Sequence, residues 1–437
     1  MSSQHERNAV RPGQGGFTLI ELTVALGVTT IVMLGILALF DFNNKLTRIQ
    51  TNVADMQQSM RIAQYDMVRM LRVAGRGGLT STLPGQVYPT GTGVSILSGA
   101  SVGTNTYLVP GDTSSPKLLQ GTDVLTLRGA FSTPIYQVKY ADAASFVPTG
   151  PGAPTPTNAT GGSVLICTRA PTGVDQDLST LTGLIDAAQL SPSSARKEAI
   201  ILVSPQSDGI YAVVQLDPAT SSKFATSPSC LGGSGVILTF ISDRTQTLVS
   251  QYRNLYPAPV GANLPAALTK VAFVAVLEEY RFYLREDHSI QGNTSSDLTP
   301  VLSRARFYPG TNLPYAGDVA SMSQDVADGV LDLQFTLGLD VNNDGQVTES
   351  TTNPATDEWL GNSAGEAPIA GGLKFIRVST LTRTNRPDNK YTAPDLPRIE
   401  DHVYSLSDPA DRVNGTNARK YRRRLFQTIA NVRNLTT

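Results

Sequence analysis

Residues 17–40 read FTLIELTVALGVTTIVMLGILALF, an apolar run of 24 residues whose only ionisable side chain is Glu21. At about 1.5 Å rise per residue a helix over this run is roughly 36 Å long, enough to cross a bilayer with some tilt. Arg7 and Arg11 outnumber Glu6 in the segment before it, and a positive flank stays cytoplasmic, so everything beyond residue 40 is expected to be exported. The period then changes. Leu46, Ile49, Val53, Met56, Met60, Ala63, Met67, Met70 and Ala74 recur at alternating steps of three and four, with Arg, Gln and Asp between them. That spacing predicts an amphipathic helix continuing the first, with one apolar stripe. The methionines and alanines in the stripe suit an irregular sheet surface better than a coiled-coil seam. Gly75-Arg76-Gly77-Gly78 should end the helix, because glycine enters the left-handed region at little cost.

Beyond the glycines, residues 80–122 and 141–162 are dense in Gly, Pro, Ser and Thr and read as surface loops. Short β-prone runs occupy 123–129, 134–140, 163–169, 199–204, 210–216, 235–241, 271–285, 301–308, 330–338, 373–383 and 420–433. Parallel βαβ units need amphipathic helices between strands, and a short candidate near 184–198 is the only one. The expected fold class is therefore α+β: a long N-terminal membrane-spanning helix packed on a mostly antiparallel β-sheet globular domain. Gly232-Gly233-Ser234-Gly235 lacks the lysine of a phosphate-binding loop and reads as a turn.

Composition adds exclusions. In 437 residues there are 35 Lys and Arg against 36 Asp and Glu, so no global basic field exists to hold nucleic acid, and no specific nucleic-acid partner is expected. The 38 Gly and 27 Pro fit a loop-rich β protein and rule out collagen-like and coiled-coil classes. Cys167 and Cys230 are enough for one bridge in an oxidising compartment; a disulfide and two separate thiols both remain open.

A carboxylate in the first turns of a membrane helix costs about 2.5–3.5 kcal/mol at the bilayer centre and less near the interface. Glu21 therefore either lies among the cytoplasmic headgroups or serves a purpose. Gly15-Gly16-Phe17 followed by Glu21 resembles the type III prepilin signal, in which a dedicated peptidase cuts after the glycine and methylates the new amine of the phenylalanine. The resemblance implies cleavage between Gly16 and Phe17, after which Glu21 becomes an acid that a neighbouring subunit's Phe17 amine can neutralise. The competing secretory signal peptide calls for a shorter apolar core and a small-residue cleavage site, which residues 38–41 do not offer. The domains are then a leader, 1–16; the helix, 17–75, membrane-spanning over 17–40 and amphipathic over 41–75; and a β-rich domain, 76–437.

The segments QSMRIAQYDMVRMLRVAGRGG (58–78), VADGVLDLQFTLGLDVNNDG (326–345), KFIRVSTLTRT (374–384) and YRRRLFQTIANVRNL (421–435) together resemble the PilW-type minor pilins of type IV pili. The family implies a lollipop-shaped, non-enzymatic subunit in the bacterial inner membrane with its β domain in the periplasm, later carried into the pilus, where a tip complex primes assembly. Implied partners are other minor pilins, the major pilin, the prepilin peptidase, the inner-membrane assembly platform and a pilus-tip adhesin; implied roles include adhesion, motility and DNA uptake. J-type pseudopilins of type II secretion share the architecture and give the alternative function, with a membrane-anchored adhesin as a further one. The chain lacks the cysteine such proteins often carry after the first helix, and its loops over 80–162 make it longer than expected.

No cofactor is required by this reading, but one ion has a ligand set. Asp340, Asn342 and Asp344 stand at loop positions 1, 3 and 5, Gly345 at 6, and Gln346 offers a carbonyl at 7, a spacing that lets one turn wrap Ca²⁺. Position 12 is Thr351, and Glu349 is the substitute ligand considered. The alternative is a plain hairpin turn at Asp344-Gly345. His288 and His402 lie in no nucleophile or metal motif. The cluster Arg419, Lys420, Arg422, Arg423 and Arg424 reads as a solvated sheet edge in preference to a DNA or acidic-partner site.

Overall fold

The computed structural model describes residues 17–79, 93–99, 118–119, 121–138, 146–148, 162–190, 199–203, 211–226, 230, 233–241, 271–287, 299–310, 315, 323–350, 356–363, 366, 372–409 and 411–435. One helix, α1 (Leu19–Val73), runs through both the apolar run and the amphipathic stripe. It stops where the glycines allow: Gly75, Gly77 and Gly78 have φ of 80°, 107° and 93°. Gly75 has no room for a side chain, since a Cβ there would lie 2.3 Å from Leu435 Cδ2. The Asn434 side-chain amide donates to the carbonyl of Arg72 at 2.6 Å, satisfying a helix-end acceptor from a residue 362 positions away.

The strands before the second helix are β1 (Val94–Leu97), β2 (Val124–Gly129), β3 (Ile135–Gln137), β4 (Phe146–Pro148) and β5 (Gly162–Cys167); α2 (Ser179–Leu190) follows. Next come β6 (Ala199–Val203), β7 (Tyr211–Thr226), β8 (Ser234–Ile241), β9 (Phe273–Asp287), β10 (Thr299–Phe307) and β11 (Ser323–Asp328). The last are β12 (Val330–Asp340), β13 (Trp359–Leu360), β14 (Gly372–Arg383), β15 (Arg398–Ile399), β16 (His402–Val403) and β17 (Arg423–Asn431). Every pairing among them is antiparallel. The long helix with an antiparallel sheet domain is the expected α+β class.

All eleven β-prone runs hold strands, while β1, β4, β11, β13, β15 and β16 were not expected. β1 and β4 are short runs inside stretches whose composition reads as loop. β7 continues past residue 216, through Pro218, to Thr226; its register on β8 shifts between Asp217 and Ser222, and such an irregularity is where a strand tolerates proline. α2 begins at Ser179, ahead of the expected residue 184, because Asp177 Oδ1 accepts the Ser179 amide at 2.9 Å and starts the helix early. The expected glycine turn ends at Gly233, whose amide bonds the Cys230 carbonyl at 3.0 Å, and Ser234-Gly235 already belong to β8.

An eleven-stranded sheet is built around β9, with order β1-β2-β9-β6-β7-β8-β5-β4 and β10, β11 and β3 attached off that path. The second sheet has order β13-β12-β14-β17. β12 is buried along all 11 residues. Its Val330, Leu333, Phe335, Leu337 and Leu339 share a core with Leu125 and Leu127 of β2, Phe282 and Leu284 of β9, Ile376 and Val378 of β14, and Met60, Ala63, Met67, Met70 and Leu71 of α1. The helical stripe thus packs on sheet, as its methionines predict. Two compact units divide within α1, residues 1–55 and 56–437, because the helix from Met56 onward buries its stripe in this core.

β9 carries two consecutive, fully buried glutamates. Glu278 accepts the amides of Phe131 at 2.7 Å and Ser132 at 2.6 Å. Glu279 accepts Arg128 Nε at 2.7 Å, Arg281 Nε at 2.8 Å and the Gly310 amide at 2.8 Å. Burial alone would raise the Glu279 carboxyl, but the two guanidinium charges overcome it and bring the carboxyl down to about 2.

Cys167 and Cys230 are joined in a disulfide with their Cα atoms 5.4 Å apart, resolving the two readings that sequence leaves open. Gly235, opposite Cys167 in the β5–β8 register, makes room for it: a Cβ there would lie 3.2 Å from Cys230 Sγ and 2.6 Å from the Ile166 carbonyl. The bridge spans 63 positions, and constraining a loop of that size in the unfolded chain is worth about 2–4 kcal/mol. Reduction, or Cys230→Ser, should therefore lower the melting temperature under conditions that leave other groups unchanged; a melting curve indifferent to reductant would contradict this.

Candidate functional site

The helix N-terminus is organised around Thr18 and Glu21. Glu21 Oε2 accepts the Thr18 amide and the Thr18 hydroxyl, each at 2.9 Å, and Thr18 Oγ1 in turn accepts the Glu21 amide at 3.2 Å. This is a reciprocal capping box, satisfying donors that a helix start leaves without partners. Its signature, Thr followed three residues later by Glu ahead of an apolar run, is present in the sequence, where the apolar run masks it. One carboxylate oxygen, Oε2, is used by the cap. From Phe17 to Phe42 the large apolar side chains are between 53% and 89% exposed, so this length of helix offers an uncovered apolar surface on every side. Such a surface calls for lipid or for other apolar helices. Gly16 lies outside the described residues, and Phe17 is the first residue described.

The loop after β12 ties its polar side chains to its own backbone amides. Asp340 Oδ2 accepts the Gly345 amide at 3.0 Å, Asn342 Oδ1 the Asp344 amide at 2.8 Å, and Asp344 Oδ1 the Gln346 amide at 2.8 Å. Asn343 and Gly345 hold positive φ, 61° and 83°, which coils the turn tightly. Glu349 is elsewhere, with Oε1 on Arg377 Nη1 at 3.0 Å, because that guanidinium is the nearer cation. The acid at the base of the loop is Glu358, buried, whose Oε1 accepts the Val341 amide at 3.1 Å and Oε2 the Thr348 amide at 2.8 Å. Its sequence distance hid it. Among the described residues no group of three His, Cys, Asp or Glu side chains stands together, so any cation here would draw on amide and carbonyl oxygens as well.

Residues 11–37 match the prokaryotic N-terminal methylation motif, and residues 282–434 match the PilW family, described as type IV pilus-assembly protein W. The two matches together support a PilW-type minor pilin. Comparison with curated proteins and with solved structures returned no match. The PilW match covers about a third of the chain, from the end of β9 through β17, and so takes in the whole second sheet. The motif match takes in the capping box and most of the exposed apolar helix. Both families are structural components of pili, so the matches point to other pilus components as neighbours, and the motif with the exposed apolar helix suggests anchoring in a membrane.

Two further clusters of ionisable side chains are held by contacts within the fold. His402 Nδ1 contacts the buried Asp332 Oδ2 at 2.7 Å, the Tyr404 hydroxyl bonds the same oxygen, and Gln334 Nε2 donates to Oδ1 at 2.9 Å. Burial would raise the Asp332 carboxyl, but His402 and the Arg412 charge hold it below its ordinary value. No hydroxyl nucleophile joins His402 among the described residues; the cluster ties the segment after β14 to the polar face of β12. The basic cluster is equally occupied. Arg419 Nη1 pairs with Asp395 at 2.9 Å, Arg422 Nη2 with Asp388 at 3.0 Å, and Arg423 Nη1 donates to the Val413 carbonyl at 2.6 Å. β17 is a sheet edge, as its charges suggest, but most of those charges staple the neighbouring segment instead of facing solvent.

Proposed function

We propose that this chain is a PilW-type minor pilin that is cut between Gly16 and Phe17, keeps its helix in the bacterial inner membrane with the β domain in the periplasm, and then enters a tip complex that primes type IV pilus assembly. The observation that carries the reading is the uncovered apolar surface of α1 over residues 17–40, with a single carboxylate, Glu21, held at its start by Thr18. In a helical bundle such a surface is covered by equivalent helices of the major pilin and other minor pilins, and a carboxylate there is stabilised by a neighbour's N-terminal amine. The peptidase, the assembly platform and a tip adhesin are the remaining proposed partners; adhesion, motility and DNA uptake would be properties of the assembled pilus.

Mass spectrometry of protein isolated from cells should find an N-terminus at methylated Phe17, and immunogold labelling of sheared pili should place the protein at their ends. Replacing Gly16 by a bulkier residue should leave an uncut precursor in the membrane. Retention of residues 1–16 in the wild-type protein would overturn the processing step. Labelling along the whole shaft would overturn the tip position alone.

A further inference from the structure

We propose that the loop from Asp340 to Gln346 binds a calcium ion, with Asp340 Oδ1, Asn342 Oδ1, Asp344 Oδ2 and the Gln346 carbonyl as its protein ligands. The deciding observation is at Asp340. Its side chain is 5% exposed, and Oδ1 is buried without a hydrogen-bond partner. A buried carboxylate oxygen with no donor is costly, because desolvation is uncompensated. The neighbouring cation does not relieve it: Lys374 Nζ lies 3.5 Å from Oδ2, the oxygen already bonded to the Gly345 amide. The amides of residues 344 and 346 hold Asn342 and Asp344 in the same turn, so the second lone pair of Asn342 Oδ1 and the Asp344 Oδ2 share one turn with the orphaned oxygen.

The donor set selects the ion. All four donors are oxygens, two of them carboxylate, with no imidazole or thiolate to favour zinc or copper. Calcium accepts irregular sets of carboxylate, amide, carbonyl and water oxygens, whereas magnesium demands a tighter octahedron and gives up water reluctantly. With two carboxylates, no closing bidentate glutamate and Lys374 nearby, binding should be of extracellular strength, on the order of 10⁻⁴–10⁻³ M.

The fold supplies its own reporter. Trp359 is the chain's single tryptophan, and it stands opposite Gly338 across the β12–β13 pair, two residues before Asp340. A Cβ on Gly338 would come within 3.3 Å of the Trp359 ring, so the indole rests directly on the strand that leads into the loop. Terbium, which replaces calcium at oxygen sites and emits when a nearby indole is excited, reads this distance.

The test uses the full chain in detergent micelles. Terbium emission under tryptophan excitation should appear, and millimolar calcium should displace it while equal magnesium does not. Calcium alone should raise the melting temperature. Asp344→Asn keeps the acceptor for the Gln346 amide and removes one ligand charge; it should melt where calcium-free wild type does and lose roughly tenfold or more in calcium affinity. Trp359→Phe should abolish the emission and keep the calcium-induced rise. A wild-type melting temperature indifferent to millimolar calcium, or a rise in Asp344→Asn as large as in wild type, would overturn the site. A calcium-dependent rise without terbium emission would overturn its placement beside Trp359.

Discussion

Glu279→Ala is expected to cost about 3–5 kcal/mol of folding stability, the range for removing one partner of a buried ion pair. The reason lies in what would remain. Arg128 and Arg281, at 14% and 6% side-chain exposure, would stay inside with their shared counter-ion gone, and the Gly310 amide would lose its acceptor. Glu279→Gln keeps the volume and an acceptor oxygen, so it should cost less than alanine while still removing the charge that Arg128 and Arg281 share. The pH dependence has a definite sign. A carboxyl held at about 2 in the folded state and at 4.5 in the unfolded chain contributes stability that is complete above the higher value and is lost as pH falls toward the lower one. That contribution is about 3 kcal/mol. Urea unfolding followed from pH 7 to pH 2 should show a steeper acid decline for wild type than for Glu279→Gln. Parallel profiles, or a loss under about 1 kcal/mol for alanine, would show that the cluster relaxes without its acid.

Glu21→Gln and Glu21→Ala together separate the two uses of one carboxylate. Glutamine preserves the capping box, since its side-chain oxygen accepts from Thr18 as the carboxylate does, but it carries no charge. Alanine loses both. Neither should insert less well, because removing a carboxylate from a membrane helix lowers the transfer cost. If Glu21 neutralises a neighbouring subunit's amine in the pilus, both variants should reach the membrane and both should be depleted from sheared pili roughly tenfold or more, as the loss of a charge-assisted bond worth about 1.5–3 kcal/mol implies. Normal incorporation of Glu21→Gln with depletion of Glu21→Ala would assign Glu21 to the cap alone. Quantitative immunoblots of membrane and pilus fractions distinguish these results.

Periodicity made the helix legible through Ala74, because both its apolar run and its stripe are local patterns, and β-prone composition made eleven strands legible for the same reason. What stayed hidden depends on partners distant in sequence. Glu278 and Glu279 look out of place in an apolar strand until Arg128, 151 positions earlier, is brought alongside. Asp332 gave a similar signal, but nothing local points to His402 or Tyr404. β15, β16 and the segment around them are held by side chains bonded to backbone, such as Asn414 on both the amide and the carbonyl of Leu396, and such bonds leave no period to read. At the loop after β12 the spacing of Asp340, Asn342 and Asp344 was legible, whereas the placing of Glu349 on Arg377 and of Glu358 beneath the loop was not.

The bond from Asn434 to Arg72 carries a consequence for the order of folding. A helix can form as soon as its own residues are available, within microseconds. Here its far end waits for an acceptor's partner made 362 residues later. The strand beside that partner, β17, completes the sheet on which the helix stripe packs, so both the closing of the core and the sealing of the helix end belong to the final step. On the proposed membrane anchoring, α1 is held in place while the β domain is still arriving. The long wait between those events, set by contacts of such large sequence separation, makes slow, late closure the expected kinetic signature of this protein.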